Sequence, residues 1–122
     1  MKFFVKLFLS AFLVFSVPFS VGAQDDVVVT KQYDDGGMYE GTFKNGLQHG
    51  IGTYRLPNGY EYSGEWVDGE ILGVGVAKFP NGSVYEGNFI KGKPEGSGKI
   101  IFADGGTYEG TWLDGKITGQ GI

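Results

Sequence analysis

The residue types that usually carry chemistry are scarce in this chain. His49 is the only histidine and cysteine is absent. A lone histidine in a loop assembles neither a metal cluster nor a Ser/His/Asp set, and a cysteine nucleophile is excluded outright. Glu40, Glu86 and Glu109 recur at one position of a repeating phrase. Two carboxylates that divide acid and base roles need unlike environments, and repetition gives these three like ones. They read as sheet-surface or strand-pairing groups. Gly50-x-Gly52 and its copies resemble pieces of a phosphate loop, but no helical pattern follows to aim an N-terminus at a phosphate. Asn81-Gly82-Ser83 satisfies the glycosylation rule, yet Asn-Gly is first of all a turn. The expectation is a non-enzyme, with no catalytic residue, no metal ligand and no cofactor.

What remains is aromatic. Tyr39, Phe43, Tyr62, Trp66, Tyr85, Phe89, Tyr108 and Trp112 form a regular series whose copies lie 23 residues apart. Two roles compete for these rings. They can fill the core of a thin sheet, or their edges can line a groove that grips a helix or an extended peptide, since aromatics dominate interface energetics. A single-layer sheet cannot bury both of its faces, so these eight are the candidate partner-binding residues.

The elements that must position them follow from the same period. Twenty of the 22 glycines after residue 23 fall into five columns spaced 23 residues apart. A fixed period in that range announces a stacked array rather than a fold with one private core. Tyr39, Gly41 and Phe43 point to one face of a strand, because strand side chains alternate. A turn follows at Asn45-Gly46, Asp68-Gly69, Lys91-Gly92 and Asp114-Gly115. The connection then runs on for a few residues, so the predicted hairpin loop is longer than two. Second strands are expected over 50–56, 73–79 and 96–102, each closing on a turn such as Pro57-Asn58-Gly59. Glycine in a strand interior costs roughly 0.5–1 kcal/mol against alanine, so geometry must demand it. Aromatic rings lying over a neighbouring strand's glycines would be such a demand.

Tyr33-Asp34-Asp35-Gly36 sits one period before Leu56-Pro57-Asn58-Gly59. Residues 24–38 therefore read as an opening strand, a half-repeat, followed by repeats over 39–61, 62–84 and 85–107 and a partial one over 108–122. Gly121-Ile122 aligns with Gly98-Lys99, inside a second strand. That marks either a fragment or an open C-terminal edge that is used for self-association or covered by a partner.

The first 23 residues stand apart. Lys2 and Lys6 precede an uncharged Phe- and Leu-rich run, Pro18 breaks it, and Val21-Gly22-Ala23 supplies small residues. This is the pattern of a secretory signal helix cleaved after Ala23, with an uncleaved membrane anchor as the alternative. Export without cysteine favours a periplasmic or bacterial extracellular setting. Without Lys2 and Lys6, eight basic side chains face 14 acidic ones, a net charge of −6. That balance opposes nucleic-acid binding, which rests on neutralising phosphates, and disfavours docking on anionic lipid.

The phrase Tyr-Glu-Gly-x-(Trp/Phe)-x-x-Gly, closing on Pro-Asn-Gly and recurring in register over about residues 33–122, resembles the MORN (membrane occupation and recognition nexus) repeat family. Tyr39–Gly59 and Tyr85–Gly105 match best. The second repeat departs from it, with Ser63 for the usual Glu, Leu72 for a frequent His and Ala77 for a bulky residue. The resemblance implies an elongated, twisted, single-layer antiparallel sheet of successive hairpins with a shallow groove, an all-β fold. It implies a scaffold or binding module for a protein or peptide, with a lipid surface, or the binding part of a longer enzyme, as alternatives.

Overall fold

Asn45 and Gly46 both take positive φ, 53° and 82°. A two-residue turn of this kind matches the twist of the strands it joins. The ladder closes directly across it, with Lys44 opposite Leu47. The same holds across Asp68-Gly69, Lys91-Gly92 and Asp114-Gly115, where Val67 faces Glu70, Ile90 faces Lys93 and Leu113 faces Lys116. This corrects the longer loop predicted from the sequence. The second strand begins immediately after the turn, because both turn residues accept the left-handed region and no further residue is needed to reverse the chain.

The structure is a computed structural model that describes residues 27–121. The expected leader over 1–23 and its cleavage after Ala23 lie outside the described residues. Within them, nine strands form one open antiparallel sheet. They are β1 (Val29–Gln32), β2 (Met38–Lys44), β3 (Leu47–Arg55), β4 (Glu61–Val67), β5 (Glu70–Lys78), β6 (Val84–Ile90), β7 (Lys93–Ile101), β8 (Thr107–Leu113) and β9 (Lys116–Gly121). Each strand pairs only with its sequence neighbours, so every hairpin depends on the next for its second partner. No helix among the described residues is long and apolar enough to cross a membrane.

Two devices repeat along the sheet. The first is a bulge. Between the Gly41–Gly52 and Phe43–Gln48 pairs, β2 advances two residues while β3 advances four. Gly50 absorbs the excess at φ 93°, as Gly73 does at 111° in the next repeat. A bulge leaves ladder groups open, and the side chain opposite closes them. The Thr42 hydroxyl donates to the His49 carbonyl, Glu65 Oε1 accepts the Val74 N–H at 2.8 Å, and Asn88 Nδ2 donates to the Ser97 carbonyl at 3.3 Å. The second device joins repeats at their hairpin tips. The N–H groups of Gly69, Gly92 and Gly115 donate to the carbonyls of Gln48, Ile71 and Pro94 in the preceding repeat, at 2.8, 3.1 and 2.9 Å.

The opposite row of loops is equally regular. Asp35, Asn58, Asn81 and Asp104 each accept the N–H two residues on through Oδ1, at 2.8–2.9 Å. This local turn is what Asn and Asp side chains build best. It accounts for Asn81-Gly82-Ser83 as a loop closure.

The core lies on one face only. Tyr39, Tyr62 and Tyr85 are fully buried, and Trp66, Phe89 and Trp112 nearly so. Each tyrosine ring lies over the paired glycines of its own and the following strand. A Cβ on Gly75 would fall 2.5 Å from Tyr62 Cε1. Only a residue without a side chain leaves room for the ring.

Candidate functional site

The eight candidate aromatics prove to be one continuous chain of contacts. In the order Phe43, Tyr39, Trp66, Tyr62, Phe89, Tyr85, Trp112 and Tyr108, successive ring centroids are 5.0–5.8 Å apart and edge-to-face. Such pairs add roughly 0.5–1.5 kcal/mol each beyond area burial. Each tyrosine hydroxyl donates to the carbonyl three residues on. Tyr39 reaches Thr42 and Tyr62 reaches Glu65, both at 2.8 Å, and Tyr85 reaches Asn88 at 2.9 Å. Trp66 and Trp112 add ring N–H bonds to the carbonyls of Gly52 and Gly98, at 3.1 and 3.3 Å.

Six of the eight therefore have almost no surface to offer. Phe43 and Tyr108 keep partial exposure. The rings that a partner would meet first are others: Tyr33, Tyr54 and Tyr60, half-buried and packed against the core from above. Together with Ile71 and the edge of Trp66 they line a cleft of about 500 Å³ on the aromatic face. Asp35 stands at one end, in the row of inter-repeat loops. Glu70 and Lys91 stand at the other, among the hairpin tips.

The cleft is held by its own contacts. Tyr33 meets Tyr54 edge-on at 6.4 Å, and Gln48 Nε2 donates to the Tyr33 hydroxyl at 2.9 Å. Tyr60 leans on Phe79 at 5.8 Å. Burial pushes the phenols of Tyr33, Tyr54 and Tyr60 above their ordinary range. The Gln48 donor partly offsets this at Tyr33, and the Asp35 carboxylate adds to it at Tyr54. All three rings are neutral phenols across the physiological range, with their π faces intact.

Tyr54, Tyr60 and Ile71 were not legible as site residues because they lie outside the phrase that recurs in every repeat. The available signal was departure from it. The column of Tyr54 reads Lys31, Tyr54, Ala77, Ile100, and that of Tyr60 reads Gly37, Tyr60, Ser83, Gly106. Tyr60 is the one bulky residue of its column and builds a local feature, whereas the aromatic positions filled in every repeat build the core.

The other singled-out residues serve the frame. His49 Nδ1 accepts the Asp68 N–H at 3.2 Å. Glu95 does the same work two repeats later, accepting the Asp114 N–H at 2.9 Å. Glu40, Glu86 and Glu109 lie on the face opposite the aromatics, where Glu40 comes within 3.9 Å of Arg55. A second hollow, of about 640 Å³, lies on that face among Val28, Glu40, Thr42 and Ile51, with much of its wall made of glycine backbone. It has no aromatic wall.

The MORN repeat pattern matches residues 39–59, 62–84, 85–107 and 108–122. Among curated proteins no match is found.

Proposed function

The chain belongs to the MORN repeat family, and we propose that it is an exported, non-catalytic scaffold that binds a segment of a partner protein in the aromatic cleft. One observation carries this reading. The chain of rings that holds the repeats together is sealed, yet a separate set, Tyr33, Tyr54, Tyr60 and Ile71, is left half-open around a cleft of about 500 Å³. Binding clefts are concave, largely apolar, and rimmed by a few polar groups. Tyrosines supply large contact area with little conformational entropy to lose. Both turn rows border the cleft and the sheet forms its floor, so the site is supported by strands rather than by a free loop. The acidic balance of the chain weighs against an anionic lipid surface as the partner.

The test is capture from a native envelope fraction, comparing the parent chain with a Tyr60→Ala/Ile71→Lys variant. The variant must melt with the parent, since both side chains are only partly buried. Loss of the captured protein is the expected result. Equal recovery refutes the cleft as the binding site, and co-flotation of the parent with anionic vesicles redirects the reading to membranes. Fractionation of the host cell checks export.

A further inference from the structure

We propose that the cleft selects a basic partner segment, with an arginine side chain stacked on Tyr54 and Tyr60 beside the carboxylate of Asp35, and with Glu70 at the far end of the cleft adding to its acidity. This deepens the interaction reading above and rests on it. The inference comes from the distribution of charge. Between residues 27 and 70, which supply most of the cleft's lining, with Ile71, Lys91 and Gly92 completing it, three basic side chains face seven acidic ones. Between residues 71 and 121 the count is five against five. Among the described residues the negative charge is thus concentrated in the half of the sheet that carries Tyr33, Tyr54 and Tyr60, with Asp35 and Glu70 on the cleft itself and Glu40 on the opposite face.

The local chemistry agrees. Among the described residues Glu40, Glu61 and Asp114 are joined in ion pairs, whereas Asp35 and Glu70 join none. One oxygen of Asp35 accepts the Gly37 N–H at 2.8 Å, and a carboxylate has acceptor sites beyond that bond. A guanidinium is planar, stacks on aromatic faces and offers five donors in a fork that suits carboxylates. Tyr33 already shows the preference of these rings, since Lys31 Nζ lies 5.3 Å from its centroid. Lys91 is the one opposing charge in the wall. It gives the site polarity, with the carboxylate of Asp35 farthest along the chain from it.

Three labelled nonapeptides of Gly, Ser and Leu, with two central arginines, glutamines or glutamates, serve as probes of the purified chain by fluorescence anisotropy. Asp35→Asn is a clean charge deletion, because Asn58 and Asn81 make the same turn bond in the neighbouring loops. Asp35→Asn combined with Glu70→Gln is expected to weaken the arginine peptide about tenfold or more at low salt and to leave the glutamine peptide unchanged. Lys91→Gln is expected to tighten the arginine peptide about threefold. An arginine peptide indifferent to Asp35→Asn/Glu70→Gln overturns the inference, as does a glutamate peptide that binds equally well. If the glutamine or glutamate peptide binds best and Ile71→Lys abolishes it, the basic class is wrong while the cleft stands as the interaction site. Flotation with phosphatidylcholine vesicles that is lost in Asp35→Asn assigns the cation to a lipid headgroup and overturns the peptide assignment.

Discussion

Gly75→Ala tests whether a tyrosine ring is what keeps glycine in the strand. Gly75 has ordinary strand geometry, so backbone strain is not at issue. A Cβ there lies 2.5 Å from both Cε1 and the hydroxyl oxygen of Tyr62, closer than any real contact, so the ring must move. Tyr62 has nowhere to go. It is fully buried, with Trp66 at 5.6 Å and Phe89 at 5.0 Å on its flanks. Overpacking a filled site costs about 1–3 kcal/mol. The hydroxyl bond to the Glu65 carbonyl, 2.8 Å long, adds about 1 kcal/mol when broken. The expected loss is about 2–4 kcal/mol, which in an array of this size lowers Tm by about 10–25 °C. Urea titration read by tryptophan fluorescence measures it. Gly106→Ala, whose nearest new neighbour is Asp104 Oδ1 at 3.3 Å, stays within about 0.5 kcal/mol of the parent. Gly96→Ala meets nothing within 4 Å but has φ +79°, and costs about 1 kcal/mol through backbone strain alone. In a Tyr62→Ala background the ring is gone and Gly75→Ala costs under about 1 kcal/mol. The ring-seat reasoning fails if Gly75→Ala costs no more than Gly96→Ala, or costs the same with and without Tyr62.

Lys91 occupies a turn position with φ 51° that its counterparts fill with Asn or Asp, so Lys91→Asn raises stability by about 0.5–1 kcal/mol in the same titration. Leu72 stands where His49 and Glu95 accept an N–H from the next hairpin tip; Leu72→Glu supplies that acceptor to Lys91 and adds about 0.5–1 kcal/mol, measurable by calorimetry. Trp66→Phe keeps the ring contacts but deletes the bond to the Gly52 carbonyl, and costs about 1 kcal/mol or somewhat more through lost volume. Burial raises the phenols of Tyr39, Tyr62 and Tyr85 above the ordinary tyrosine value. The folded state then holds protons that the unfolded state releases above pH about 10, so the stabilisation is full below that pH and is lost as pH rises through the folded values. Urea midpoints that hold up to pH about 10 and fall as the pH rises above it are the expected result, and a flat profile refutes it.

The repeat period, the positions of the turns and the aromatic series were legible in the sequence because each depends on local chemistry, whereas the length of the hairpin loop was not. Positive φ selects Asn-Gly and Asp-Gly wherever two strands reverse, and alternation sets which residues share a face. These local rules fix a sheet of successive hairpins, since every strand carries the same complementary pattern as its neighbours. The bulge was hidden because Gly50 and Gly52 look alike in a list of glycines. Only the ladder shows that one absorbs extra chain while the other seats a ring. The allocation of surface also had to wait for the tertiary structure. Tyr62 and Tyr60 are two residues apart and chemically identical, yet one is sealed between Trp66 and Phe89 and the other is half-open beside a cleft. Burial is decided by what the neighbouring repeats place above and beside a ring. By itself the sequence determined what repeats, and the packing of one repeat on the next decided which rings became core and which were left for a partner.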